Sequence, residues 1–185
     1  VTWGKEHFLK VLDERREEGL KNSNAAYIVS TNGRAMDKLQ YLANYVLEPL
    51  WNARDSIRPK AGDTLASFFK RLSSYDGMGS FMSAQVVADV KFTPYLAFAE
   101  DWWTFAEPGP GSLRGMRRLL GLESDNKGFD NHWKYHLNIL RNKLNEDSGV
   151  PELSAQDCQN CLCEFDKFMR ASLGEGRPKQ LYKGV

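Results

Sequence analysis

Apolar positions recur at helical spacing along most of the chain. Phe8, Leu9, Val11 and Leu12 mark one face between Trp3 and Leu20, and the run DERREEG leaves a solvated end. From Arg34 to Trp51 the same period returns in Met36, Leu39, Leu42, Ala43, Val46 and Leu50, with Pro49 near the C-terminal end. Arg34 and Asp37, three apart on that predicted helix, read as an ordinary surface ion pair. After the loop RPKAGD, Asp63 reads as the cap of a helix through Leu65, Phe68, Phe69 and Leu72. Further helices are predicted over Phe81–Val90, over Leu113–Leu120 with Ser112 as N-cap, and over Asn131–Leu144. The last helix, Ala155–Leu173, is opened by Pro151 and Ser154. The short apolar stretch AAYIVS (Ala25–Ser30) reads as a joiner between helices more than as a strand. The pattern predicts an all-α fold: one helical domain over residues 1–185, ending in a basic, flexible tail from about residue 174.

Composition narrows the class. With 42% hydrophobic residues and five tryptophans the chain can bury a core. A formal charge of +1 does not suggest a nonspecific polyanion binder, although local basic patches are compatible with it. No apolar run is long enough to cross a bilayer, and no signal-peptide pattern is present, so no membrane partner is expected. Three cysteines crowded at Cys158, Cys161 and Cys163 do not read as a disulfide framework, and an intracellular protein is the simpler inference. A zinc site lacks a fourth ligand. His132 and His136 are four apart, but Trp133 stands where H-E-x-x-H needs its acid, so packing against aromatics is the better reading. No metal site is therefore assigned.

Two stretches carry candidate chemistry. The first is SSYDGMGSFMSAQVVADVKF. Gly77 and Gly79 stand between two apolar helical segments, the pattern of a helix-hairpin-helix over about residues 63–92. Such a turn frees backbone N–H groups for a nucleic-acid phosphate, which nominates Gly77, Met78, Gly79 and Ser80, with Arg177 and Lys179 of the tail as further backbone contacts. The second is EDWWTFAEPGPGSLRGMRRLLG. Its P-G-P-G turn leads into a helix carrying Arg114, Arg117 and Arg118, a candidate phosphate site beside Asp101. Asp101 follows Gly79 by 22 residues. Helix-hairpin-helix DNA glycosylases place a catalytic Asp at a similar distance. Here WWTFAEPGPG intervenes before the next helix, and no lysine follows the hairpin glycine, which disfavours a lyase-type glycosylase.

Five stretches in order, NGRAMDKLQYL, GMGSFMSAQVVADVKF, GPGSLRG, NCLCEFDKFMR and GEGRPKQLY, resemble one group of proteins. It is the helical helix-hairpin-helix family of phage thymine hypermodification. Its members are the alpha-glutamyl/putrescinyl-thymine pyrophosphorylases, or amino acid:DNA transferases, with a related helical domain in hydroxymethyluracil DNA kinases. The resemblance covers most of the chain from Asn32 to Tyr182 and implies a glycosylase-like helical fold. It also implies a step on double-stranded DNA carrying modified thymine. An amine, from an amino acid or polyamine, displaces pyrophosphate from a pyrophosphorylated 5-hydroxymethyluracil. The setting would be the cytoplasm, that of the host cell for a phage protein. The chain has no G-x-x-x-x-G-K-[ST], so it is not a P-loop kinase by itself.

The residues fit such chemistry as follows. The leaving pyrophosphate needs N–H donors and cations, for which Gly111, Ser112, Arg114 and Arg117 are candidates, with Arg34 and Lys167 behind them. The attacking ammonium needs a base, for which Asp101 comes first and Glu164 and Asp166 second. A reacting base must leave the stack, and Trp102, Trp103 or Phe105 would hold it. No cofactor is assigned; a magnesium ion on the pyrophosphate is plausible and would leave no clear sequence trace. The alternatives are a helix-hairpin-helix glycosylase and a noncatalytic DNA-binding helical domain of a hydroxymethyluracil DNA kinase system. Oligomeric state is left open.

Overall fold

The computed structural model describes residues 2–22, 30–123, 126–146, 149 and 152–175, and all regular structure among them is helical. Helix α1 spans Lys5–Glu17 and buries none of its residues; a Lys5–Glu48 ion pair of 3.0 Å ties it to the helix that follows. That helix is irregular. It runs as α2 (Lys38–Tyr41), a π-helical turn (Leu42–Leu47) and α3 (Glu48–Asn52). Pro49 cannot donate a helical hydrogen bond, and the widened turn just before it absorbs the break. The expected helix from Arg34 starts late, because Asp37 caps it by accepting from Leu39 N (2.8 Å) and Gln40 N (3.3 Å). Arg34 therefore lies in the preceding turn. It pairs with Asp76 rather than Asp37, and Asp37 pairs with Arg16.

After the short α4 (Arg54–Ile57), α5 (Leu65–Ser73) and α6 (Ser80–Val90) form a helical hairpin around the Gly77–Gly79 turn. Thr64, not Asp63, caps α5: its hydroxyl accepts from Ser67 N, and Ser67 returns a bond to Thr64 N. Asp63 pairs with Arg71 instead, which holds its carboxyl below the usual range. Helix α7 (Pro110–Leu119) begins two residues before Ser112. Gly109 is the N-cap, Pro110 opens the helix and Ser112 reaches back to Gly109 N at 3.0 Å. A 3-10 turn (Lys127–His132) leads into α8 (Trp133–Glu146), and α9 (Ala155–Ser172) is capped by Ser154 through a capping box with Asp157.

Two apolar clusters hold these helices. The first joins Tyr41, Val46, Leu65, Phe68, Val87 and Leu96 with Phe105. The second joins Met116, Phe129, Trp133, Leu137, Cys158 and Leu162. The seam between them is polar. Trp103 O accepts from Ala155 N (2.9 Å) and Arg141 Nη1 (2.7 Å). Lys91 is buried there. Its ammonium lies 4.1 Å from the centre of the Trp102 ring and 3.3 Å from Ser154 Oγ, and desolvation lowers its pKa.

Candidate functional site

The hairpin turn is where the conformation is most unusual. Gly77 has φ +75°, and a Cβ there would fall 2.4 Å from Val46 Cγ2 and 3.2 Å from the Tyr41 hydroxyl. Only glycine lets the turn sit against the π-helical segment. Asn32 is the single non-glycine residue with positive φ among the described residues, at 51°. Asn tolerates that region where β-branched residues do not. These two turns meet. Asn32 Nδ2 donates to Tyr41 Oη (2.9 Å) and to Asp76 Oδ1 (2.9 Å), and Tyr41 Oη donates to the same carboxylate at 3.2 Å. Arg34 pairs with the other Asp76 oxygen at 2.8 Å and lies 4.5 Å from the centre of the Tyr45 ring. The Asn32 bond and the Arg34 guanidinium hold the Asp76 carboxyl below its ordinary pKa, while burial and that carboxylate push Tyr41 up.

The NGR turn and the G-M-G hairpin thus enclose a cavity of about 330 Å³, lined by Asn32, Tyr41, Leu42, Val46 and residues 77–82. No side chain caps the start of α6, and Gly79 and Ser80 at that end line the cavity. Ser83 anchors the hairpin from within, its buried hydroxyl donating to Met78 O at 2.6 Å. The structure brings together Gly77, Met78, Gly79, Ser80 and Arg34 of the sequence candidates. It adds Asn32, Tyr41 and Asp76, which spacing along the chain did not single out. The Asn-Gly dipeptide was the available signal for Asn32, since it marks a turn with left-handed backbone.

The other candidates fall elsewhere. Both oxygens of Asp101 accept from the start of α5, Oδ1 from Leu65 N at 2.7 Å and Oδ2 from Ala66 N at 2.9 Å. Phe105 is buried in the first cluster against Phe69. Trp102 donates its indole N–H to Lys91 O at 3.3 Å, and Trp103 is partly exposed beside it. Arg117 is buried and paired with Asp130. Arg114 and Arg118 both bind Asp166, at 2.8 and 3.1 Å, and Arg118 also binds Glu175. Asp166 is fully buried, whereas Glu164 and Lys167 form an exposed pair one turn apart. Gly111 and Ser112 sit inside α7 and its first turn rather than in an open loop; a Cβ on Gly111 would fall 2.7 Å from Cys163 Sγ. His136 packs on Phe129, as expected of a helical histidine among aromatics. No cluster of three or more His, Cys, Asp or Glu residues suited to a metal occurs among the described residues. Arg177, Lys179 and the rest of the tail beyond Glu175, together with Pro151 and most of AAYIVS, lie outside the described residues.

An all-helical chain with a glycine hairpin folded over a polar-edged cavity is the class that fold and site define. The chain belongs to the family described as 5-hmdU DNA kinase, helical domain, whose model matches residues 2–177. That membership ties it to DNA modification. No curated protein and no solved structure matches the chain. No helix among the described residues is long and apolar enough to cross a membrane.

Proposed function

We propose that this chain is the DNA-holding part of a system that modifies hydroxymethyluracil in double-stranded DNA. The α5–α6 hairpin acts as a helix-hairpin-helix grip on the backbone. The observation that carries this reading is the Gly77 turn: its positive φ and its contact with Val46 set the open N-terminus of α6 beside the NGR turn. Phosphate contacts through backbone N–H groups fix a duplex in register without reading sequence. The test is duplex binding by fluorescence anisotropy across a salt series. Gly77→Ala forces strain and a clash at the turn, and is expected to weaken binding by about tenfold or more, while thermal melting shows the protein still folded. Wild-type affinity in the folded variant would sink the hairpin grip.

Amine transfer is the second reading. It rests on the ordered sequence stretches and on the family match over residues 2–177. In this reading the base is Glu164, the exposed one of the three candidate acids, since Asp101 is engaged by two amides and Asp166 is buried between two guanidinium groups. DNA carrying pyrophosphorylated hydroxymethyluracil would be supplied with candidate amines, and the digested nucleosides analysed by mass spectrometry. No amine-bearing thymidine would exclude transfer. Release of abasic sites in the same assay would instead support a glycosylase.

A further inference from the structure

The cavity beside the hairpin has a definite chemistry. At about 330 Å³ it lies at the small end for ligand sites, which suits a single-ring ligand rather than an extended cofactor. One wall is apolar, built from Leu42, Val46, Met78 and Met82. The charges next to it cancel, because Arg34 and Asp76 pair at 2.8 Å, so neither an anion nor a cation is favoured. A neutral ring with hydrogen-bonding edges fits best.

The Asn32 carboxamide supplies the edge. Both of its described side-chain bonds use Nδ2, toward Tyr41 Oη and Asp76 Oδ1. An ionised carboxylate only accepts, so the NH2 group must face Asp76 and the amide cannot flip. Asn32 Oδ1 is thereby fixed as an acceptor, and no donor among the described residues reaches it. A uracil-type ring carries a donor at N3–H, whereas cytosine carries a bare acceptor there. An unpaired base is read on that edge once it leaves the helix.

We propose that this cavity receives a uracil-type base swung out of the duplex, with Asn32 Oδ1 accepting its ring N3–H. This rests on the reading of the hairpin as the DNA grip. None of Trp102, Trp103 and Phe105 lines the cavity, and Tyr41 is fully buried, so the extruded base is held against Leu42 and Met82 of the apolar wall instead.

The test uses duplexes with thymine, 5-hydroxymethyluracil or cytosine at one mispaired position next to 2-aminopurine, whose fluorescence rises when its neighbour unstacks. With the wild-type protein a rise is expected for the two uracil-type bases and not for cytosine, with binding about tenfold tighter for the former. Met82→Trp fills the cavity and should abolish the rise, leaving affinity for a fully paired duplex within about twofold. Should that variant melt early, Met82→Phe serves in its place. Asn32→Ala should bring the ratio between the base types close to one. An equal rise with cytosine, or one that survives a filled cavity, overturns the pocket and leaves the grip standing. A wild-type protein that binds no duplex overturns the grip. The cavity is then tested alone, by amide shifts with free 5-hydroxymethyl-2′-deoxyuridine against deoxycytidine, and shifts of residues 77–82 with neither would end it.

Discussion

The hairpin end and the α7–α9 end use the same residue types to opposite effect. At the hairpin, Gly77 lets a turn lean on the π-helical wall, and Asn32, held by the Asp76 carboxylate that also pairs with Arg34, lines an open cavity. Along α7, glycines one turn apart close space instead. A Cβ on Gly115 would fall 2.2 Å from Leu162 O, and one on Gly111 would meet Cys163. The two backbones touch, and the arginines that flank Gly115 wrap the buried Asp166 carboxylate. Glycine, arginine and a carboxylate near one another in sequence therefore do not identify a site. What differs is whether the groups satisfy one another with no room left, or border a space that a ligand can enter.

Four changes would break or sharpen that contrast, and the largest falls on α7. Gly115→Ala places a methyl group against the Leu162 carbonyl, which cannot move without separating the helices, and should cost about 3 kcal/mol or more in urea unfolding. A cost below about 1 kcal/mol would show that α7 and α9 are not in backbone contact. Asp166→Ala leaves two arginines facing a buried space and should cost about 3 kcal/mol, the low end of the usual range because Arg114 keeps some contact with water. The same change at exposed Glu164 should stay within about 0.5 kcal/mol. Equal costs would mean that the two acids differ less in burial than their positions indicate.

Asp101→Asn presents an N–H2 group to one of two backbone donors at the start of α5. It should cost about 1–2 kcal/mol in urea unfolding and leave duplex affinity unchanged. Loss of DNA binding with full stability would return Asp101 to a direct role. The smallest effect concerns thiol chemistry. Burial pushes the Cys158 thiol up to about 11, so at pH 8 iodoacetamide should label exposed Cys161 first and Cys158 only on unfolding, as mass spectrometry of the α9 peptide would show. Prompt labelling of Cys158 would mean that the second cluster is open.

Much of the fold was legible along the chain. Ser154 and Ala155 mark the start of α9, and Ser80–Val90 follows the hairpin glycines as periodicity and turn chemistry require. Caps were harder, because neighbouring polar residues compete for one helix end. Thr64 displaced Asp63 once Arg71 had taken that carboxylate, and Pro110 drew the start of α7 ahead of Ser112. The site was legible only in part. The hairpin glycines stood out, but Asn32 and Asp76 are 44 residues apart, and nothing local joins them.

By itself the order of residues determined the helical period, the places where the chain must turn and the class of the domain, since each follows from contacts within a few residues. Only the tertiary structure decided which acid is a helix cap, which is a buried counter-ion and which orients the asparagine of a cavity. Asp101, Asp166 and Asp76 are alike in sequence. They differ in what lies across from them in space: two backbone amides, two guanidinium groups, or an asparagine beside an open pocket.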